Sequence, residues 1–206
     1  MTDGGFEFGD VKRFDTFPKL LAENARRWPD AVAMREKEFG IWNAFTWAEC
    51  QRRVRLMALG MHKLGLKRGE VVALIGDNRP EWIWGELAAH AMGALSLGIY
   101  QDSLGEEVTF LLNIAEARII VAEDEEQVDK LRELIDETPS VRHIVYCDPR
   151  GIRKYDDPRL IDISMVYQLG TEVDAATPEL YEQELNAGRG ADVAVLCTTS
   201  GTTARP

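Results

Sequence analysis

The sequence is poor in the residues that build disulfides and metal sites. It holds three cysteines and three histidines in 206 residues. The cysteines are odd in number, far apart and without a Cys-x-x-Cys pair, which argues against a disulfide framework and against a zinc site. The histidines are equally scattered, so we expect packing or surface roles for them. These residues are Cys50, Cys147, Cys197, His62, His90 and His143.

The chain also lacks an excess of positive charge. It has 24 basic and 35 acidic side chains, a net charge of −11. An acidic chain repels a phosphate backbone, which predicts that nucleic acid is not its partner. A local phosphate site remains compatible with this charge, because backbone amides bind anions without any net positive charge.

Neither a secretory signal nor a long apolar run is visible in the sequence. Residues 1–14 lack a basic segment followed by an apolar one, and we expect them to form a flexible N-terminus. The most apolar stretch, residues 81–100, contains Glu81, Glu86 and His90, which favours a core helix and a strand over a membrane span. A cytoplasmic location is therefore predicted.

Continuous apolar runs of strand length alternate with helical patterns through most of the chain. Strands that are apolar throughout are typical of a parallel sheet covered by helices on both faces. Before them, residues 31–47 predict two short strands around a charged turn, a β-hairpin. The fold class predicted is therefore α/β, with a layered parallel sheet and a short N-terminal hairpin. The predicted sheet strands are 71–76, 94–99, 118–123, 141–147 and 193–198.

Two sequences have the pattern of a helix-starting capping box. Thr46 and Glu49 form one, and Ser103 and Glu106 form the other, since each pair can satisfy two free backbone amides. Residues 148–162 are polar and contain proline, which predicts an exposed excursion from the sheet.

Three polar loops follow predicted strands: GDNRP, YQDS and TTSGTTARP. Ligands on parallel sheets bind outside the carboxyl ends of the strands, so these loops mark the candidate site. Asp77 and Asn78 in the first loop are candidates for a functional neighbourhood, with a turn or helix cap as the ordinary alternative. The same two alternatives stand for Tyr100, Gln101 and Asp102 in the second loop.

The third loop has the most distinctive chemistry. Its hydroxyls can donate to phosphate oxygens, and its glycine lets the backbone turn with positive φ or approach a ligand closely. It is not a Walker A loop, and the chain contains no G-x-G-x-x-G. By composition alone such a cluster is more typical of an ordinary turn. The residues concerned are Thr199, Ser200, Gly201, Thr202 and Thr203.

The stretch TTSGTTARP closely resembles the phosphate-binding signature of adenylate-forming ligases, TSGTTG-x-PK. Further stretches resemble bacterial long-chain fatty acid–CoA ligases, and together the matches run from about Thr16 to Pro206. These stretches are REKEFGIWNAFTWAE, GDNRPEW, GIYQDSLGEEV, AEDEEQVDKL and YCDPRGIRKYDDPRL.

The resemblance implies a two-step reaction of small-molecule substrates. A fatty acid carboxylate would attack the α-phosphate of ATP, with Mg²⁺, and coenzyme A would then displace AMP. Thr199, Ser200, Gly201, Thr202 and Thr203 would hold the β- and γ-phosphates. A membrane-soluble substrate is compatible with peripheral membrane contact, although no amphipathic basic helix indicates it.

The resemblance also implies that residues 15–206 are the N-terminal part of a large AMP-binding domain. The rest of that domain and a mobile small domain would lie downstream. No catalytic residue of the family falls in this chain, so the chain alone is expected to be inactive.

Two departures from the family pattern keep alternatives open. Ala204 stands where the motif has glycine, and the lysine expected after Pro206 is absent. Alanine resists positive φ, so the loop would close differently. The alternatives are a ligase for another carboxylate, aryl or short-chain, and a non-catalytic α/β module that binds a nucleotide or a partner.

Overall fold

The computed structural model describes residues 13–198. The predicted flexible segment 1–14 and the predicted loop 198–206 lie almost wholly outside these residues. The helices are α1 Phe17–Arg27, α2 Trp47–Lys63, α3 Pro80–Ala91, α4 Gly105–Ile114, α5 Glu125–Leu134, α6 Ile163–Ala176 and α7 Leu180–Ala187. The strands are β1 Val32–Glu38, β2 Ile41–Thr46, β3 Val71–Ile75, β4 Leu95–Ile99, β5 Ile119–Ala122, β6 His143–Tyr146, β7 Leu160–Asp162 and β8 Val195–Leu196.

Six strands form one parallel sheet in the order β7-β6-β5-β3-β4-β8. The central strand β3 pairs with β4 on one side and with β5 on the other, and all five of its residues are buried. A strand covered on both faces has no polar side, which explains its continuous apolar run.

Alternate side chains of β3 enter two separate cores. Val72 and Leu74 pack with helices α2 and α3 on one face. Val71, Ala73 and Ile75 pack with α4 and α5 on the other face. Successive side chains of a strand point to opposite faces, so one strand nucleates both apolar layers. The fold is therefore a helix–sheet–helix sandwich, as the sequence predicts.

Strands β1 and β2 form a separate antiparallel hairpin, which confirms the second part of the prediction. Its turn is Phe39-Gly40, with φ of 46° and 84°. The predicted capping box is present where the hairpin runs into α2. Thr46 N donates to Glu49 Oε2 at 2.8 Å, and Glu49 N donates to Thr46 Oγ1 at 3.2 Å.

Helices α2 and α6 approach each other through two glycines. A Cβ atom added at Gly60 would overlap the backbone carbonyl of Val166, and one added at Gly170 would overlap the carbonyl of Leu56. Only glycine permits this approach, because a backbone atom cannot rotate out of the way. The contact covers Val54 and Met57, which are fully buried.

Three details differ from the sequence-based expectations. The second capping box is absent: α4 begins at Gly105 after Leu104, which makes no side-chain cap, and Ser103 is buried in the preceding turn. The segment 148–162 is not wholly an excursion, since its end forms β7 and pairs with β6. Helix α6 was not predicted.

Candidate functional site

The helices that follow neighbouring strands lie on opposite faces of the sheet. Strand β3 leads into α3 on one face, whereas β4 and β5 lead into α4 and α5 on the other. The chain therefore diverges at the carboxyl end of β3 and leaves a crevice there. Such topological switch points are where open α/β sheets bind ligands.

A cavity of about 380 Å³ occupies this crevice. The first two predicted loops and the beginning of the third meet in it, which confirms that they share one edge of the sheet. Its polar and aromatic lining comes from the ends of β3, β4 and β8 and from α3. The lining residues that the argument uses are Gly76, Asp77, Trp82, Glu86, Tyr100 and Thr198.

Trp82 forms a wall of the cavity. Its indole packs against β4 at Gly98, where an added Cβ would lie 3.2 Å from Trp82 Cζ2. The sequence predicts core positions for Trp82 and Trp84, and the structure separates them. Trp84 is 1% exposed and belongs to the core, whereas half-buried Trp82 also faces the cavity. Its flat ring at the site can stack against an aromatic or apolar group.

A small polar network lies behind the cavity. Buried Ser96 donates from Oγ to Glu86 Oε1 at 3.0 Å, and His90 Nε2 lies 3.1 Å from Ser96 Oγ. A hydroxyl has one proton, so a serine that donates to Glu86 accepts from His90 Nε2. Burial lowers the pKa of His90, which favours the neutral imidazole. The backbone N of Ser96 also donates to Ala194 O at 2.8 Å, just before β8.

A carboxylate directly after β5 holds the first strand-end loop in place. Glu123 Oε2 accepts the Asp77 N–H at 2.6 Å, and Glu123 Oε1 lies 3.5 Å from Arg79 Nη1. Hydrogen bonds to an ionised acceptor are stronger than neutral ones, so this contact fixes the loop. The sequence analysis did not select Glu123 as a site residue. The signal was available, because Glu123 follows an apolar strand just as Asp77 does. The second loop is also tied, since Lys130 Nζ donates to the carbonyl of Gln101.

A second, wider cleft of about 690 Å³ lies between the hairpin and the sheet. Arg79 crosses it, with Nε 3.2 Å from Glu36 Oε1 of β1. Burial raises the pKa of the Glu81 carboxyl and of the Cys147 thiol in its wall. Within residues 13–198, no group of three or more His, Cys, Asp or Glu side chains is arranged to hold a metal ion.

The five residues predicted to bind phosphate lie outside the described residues. Thr199, Ser200, Gly201, Thr202 and Thr203 follow directly after Thr198, the last described residue, which lines the cavity of about 380 Å³. Their role therefore remains a prediction from the sequence.

Comparison with known proteins gives a consistent result over nearly the whole chain. The model of the family described as AMP-binding enzyme matches residues 21–206. The chain is 31% identical over 196 residues to the long-chain-fatty-acid–CoA ligase FadD15 of Mycobacterium bovis, which covers 95% of this chain and 31% of that protein. It is 28% identical over 192 residues to the long-chain-fatty-acid–CoA ligase ACSBG2 of Xenopus laevis. That match covers 93% of this chain and 25% of that protein. The chain thus spans about a third or less of the length of these relatives.

Solved structures of similar fold are also ligases and synthetases. The anthranilate CoA ligase AuaEII, in complex with anthranoyl-AMP, matches with a TM-score of 0.71 over 98% of this chain and 35% of that chain, at 16% identity. The acetoacetyl-CoA synthetase of Streptomyces lividans matches with a TM-score of 0.65 over 73% of this chain and 24% of that chain, at 21% identity. At these identities the likeness shows the fold, and it confirms the predicted class.

Proposed function

Because the chain belongs to the AMP-binding enzyme family, we propose that it forms the N-terminal part of a ligase that activates a long-chain fatty acid. The match to the family confirms the resemblance based on the sequence motifs. The proposed reaction uses ATP to form an acyl-adenylate and then transfers the acyl group to coenzyme A. In this proposal residues 15–206 are the beginning of a larger AMP-binding domain.

One structural observation supports this proposal more than any other. The ends of β3, β4 and β8 meet in one cavity, and the hydroxyl-rich segment Thr199–Thr203 continues the chain from there. Backbone amides and hydroxyls that follow a strand end can surround a phosphate group without basic side chains. A phosphate site of this kind is compatible with a chain whose net charge is −11.

The chemistry proposed for the first step is a displacement at phosphorus. A carboxylate oxygen attacks the α-phosphate, the bond to the bridging oxygen breaks, and pyrophosphate leaves. Thr199, Ser200, Gly201, Thr202 and Thr203 are proposed to hold the β- and γ-phosphates that leave. Their contribution would be positioning and charge stabilisation rather than proton transfer. In the second step the thiol of coenzyme A attacks the acyl carbon and AMP leaves.

Mg²⁺ is part of the implied chemistry, but within residues 13–198 no group of three or more His, Cys, Asp or Glu side chains is arranged to hold it. Two carboxylates at or beside the cavity have partners within the fold. Glu86 accepts from Ser96, and Glu123 accepts from Asp77 N. As the resemblance implies, the catalytic groups of the proposed reaction are expected downstream of this chain.

The choice of a long-chain acid depends on the relatives. Both relatives named above are long-chain-fatty-acid–CoA ligases, at 31% and 28% identity. A long-chain acid partitions into bilayers, so the enzyme would meet it at a membrane surface. No described helix is long and apolar enough to span a membrane. A cytoplasmic location and the absence of a nucleic-acid partner remain predictions.

The test is a thioester-formation assay of the polypeptide encoded by the whole reading frame that contains this sequence. It would be incubated with ATP, coenzyme A and a panel of long-chain, short-chain and aryl acids. We expect thioester with the long-chain acids. Product with aryl or short-chain acids alone would contradict the substrate class. We expect the 206-residue chain by itself to show no carboxylate-dependent exchange between ATP and pyrophosphate, and such exchange would contradict its inactivity.

Ala204→Gly in the same polypeptide is expected to lower the KM for ATP by about fivefold. Glycine adopts positive φ at little cost, whereas alanine there costs of order 1 kcal/mol, which corresponds to this factor. The KM is measured in the thioester assay with saturating acid. Ala191→Gly, at an exposed position before β8, serves as the control and should leave the KM unchanged. An unchanged KM in Ala204→Gly would contradict a strained loop.

A further inference from the structure

The turn of the β1–β2 hairpin displays three large apolar side chains to solvent. Phe39, Ile41 and Trp42 are 86%, 68% and 63% exposed. They lie within four consecutive positions at the end of the hairpin, here named the hairpin tip. Trp42 pairs with Lys37 and Ile41 pairs with Glu38, so these two side chains extend from opposite faces of the hairpin. Single exposed apolar residues are common on proteins, but three large ones at one turn indicate a surface that contacts something apolar.

The conformation of Phe39 makes its presence at the tip costly for the folded chain. Its φ is 46°, in the left-handed region that bulky side chains rarely adopt. A two-residue turn of this kind favours Asn, Asp or Gly at that position. Its ring also remains in water, where it gains nothing from burial. Turn geometry and packing therefore both disfavour phenylalanine at this position of the described chain.

Charge is divided between the two sides of the same hairpin. Arg35 and Lys37 are exposed, and Lys37 lies opposite Trp42 with its Nζ 5.9 Å from the centre of the indole ring. The acids that alternate with them on β1 point towards the sheet. Glu36 Oε1 lies 3.2 Å from Arg79 Nε, and Glu38 Oε1 lies 3.8 Å from Arg79 Nη2. The outward face is thus cationic and aromatic, while the acids face an arginine.

We propose that the hairpin tip inserts into the headgroup region of an anionic lipid bilayer. Tryptophan and phenylalanine are suited to that interface, since an amphipathic or apolar ring can lie just below the headgroups. Arg35 and Lys37 on the outward face complement lipid phosphates next to the inserted rings. The net charge of −11 opposes long-range attraction to such a surface, so binding needs the apolar tip as well as the two cations.

This inference depends on the hairpin alone and does not require the proposed ligase reaction. Vesicle binding and thioester formation are separate measurements, so failure of one leaves the other intact. Two other occupants of the tip are conceivable, namely a second copy of this chain and a downstream segment of a longer polypeptide. Neither accounts for cations confined to the outward face as directly as lipid phosphates do.

The test is co-sedimentation of the polypeptide encoded by the whole reading frame that contains this sequence with vesicles of phosphatidylcholine, with and without phosphatidylglycerol. We expect binding to the anionic vesicles and at least tenfold weaker binding by the triple variant Phe39→Asn/Ile41→Thr/Trp42→Thr. Asparagine tolerates the turn conformation and threonine suits a strand, so the variant keeps its fold. Arg35→Gln/Lys37→Gln should weaken binding to anionic vesicles and leave any binding to neutral vesicles unchanged.

The matched control is Leu104→Thr/Ile114→Thr, which removes two side chains that are also largely exposed, at the start and end of α4. It should bind vesicles as the unmodified chain does, and circular dichroism checks that every variant is folded. The single variant Phe39→Asn repeats the test with the smallest perturbation. Absence of vesicle binding, equal binding by the triple variant, or self-association that depends on the tip without vesicle binding would each overturn the proposal.

Discussion

Gly170→Ala is expected to lower the free energy of unfolding by about 2–4 kcal/mol. A methyl group at this position would occupy the space of the Leu56 backbone carbonyl. Because that oxygen belongs to the hydrogen-bonded ladder of α2, it cannot move alone, and the two helices must separate. Separation exposes Val54, Met57 and Val166, which are fully buried at the contact. Alanine gains about 1 kcal/mol over glycine in helix propensity, so steric overlap decides the sign.

The measurement is urea unfolding followed by circular dichroism. Gly105→Ala is the matched control, since this glycine lies in the first turn of α4 and an added Cβ would lie 3.2 Å from the flexible end of Leu134. That variant should be within about 1 kcal/mol of the unmodified chain. If Gly170→Ala were equally stable, the close approach of α2 and α6 would be wrong.

Gly76→Ala is expected to destabilise the chain by about 2–4 kcal/mol and to release the loop beside the cavity. The φ of Gly76 is 145°, and an added Cβ would lie 2.5 Å from Glu123 Cβ and 2.8 Å from Glu123 Oε2. The carboxylate would have to leave the Asp77 N–H that it accepts. Its ion pair with Arg79 would weaken at the same time, so the substitution affects the site as well as the fold.

Gly69→Ala is the control that separates backbone strain from steric overlap as causes of the lost stability in Gly76→Ala. Its φ is 81°, but an added Cβ would meet no atom within 4 Å, so it carries the backbone strain without the overlap. It should cost about 1–2 kcal/mol. Hydrogen exchange at the Asp77 amide should accelerate in Gly76→Ala and not in Gly69→Ala. Equal losses of stability in both variants, with Asp77 still protected, would contradict the role assigned to Glu123.

Much of the architecture could be predicted because its causes are local. Strand β3 is apolar at every position, and only a strand covered on both faces has that pattern. The box of Thr46 and Glu49 needs only two residues at the right spacing to begin a helix. Helix α6 was missed because its stability comes from elsewhere. It contains Gly170, which disfavours a helix by itself and is explained only by contact with α2.

The candidate site was predictable in part for a similar reason. Parallel strands end at one edge of a sheet, so the grouping of Asp77, Tyr100 and Thr198 follows from the strand pattern. The contact between Glu123 and Asp77 could not be derived in this way. It requires β5 to lie beside β3 rather than beside β4, which is a matter of strand order that spacing along the sequence does not determine.

The short strand β8 has a thermodynamic consequence for anything that binds beyond it. Val195 and Leu196 pair with Ser96 and Leu97 on one side, so few hydrogen bonds hold this segment to the sheet. A segment held so lightly opens at low free-energy cost. A ligand held by the residues after Thr198 would add its binding energy to the equilibrium between β8 paired with the sheet and β8 released from it. Ligand binding and the pairing of β8 would then be linked reciprocally, each strengthening the other.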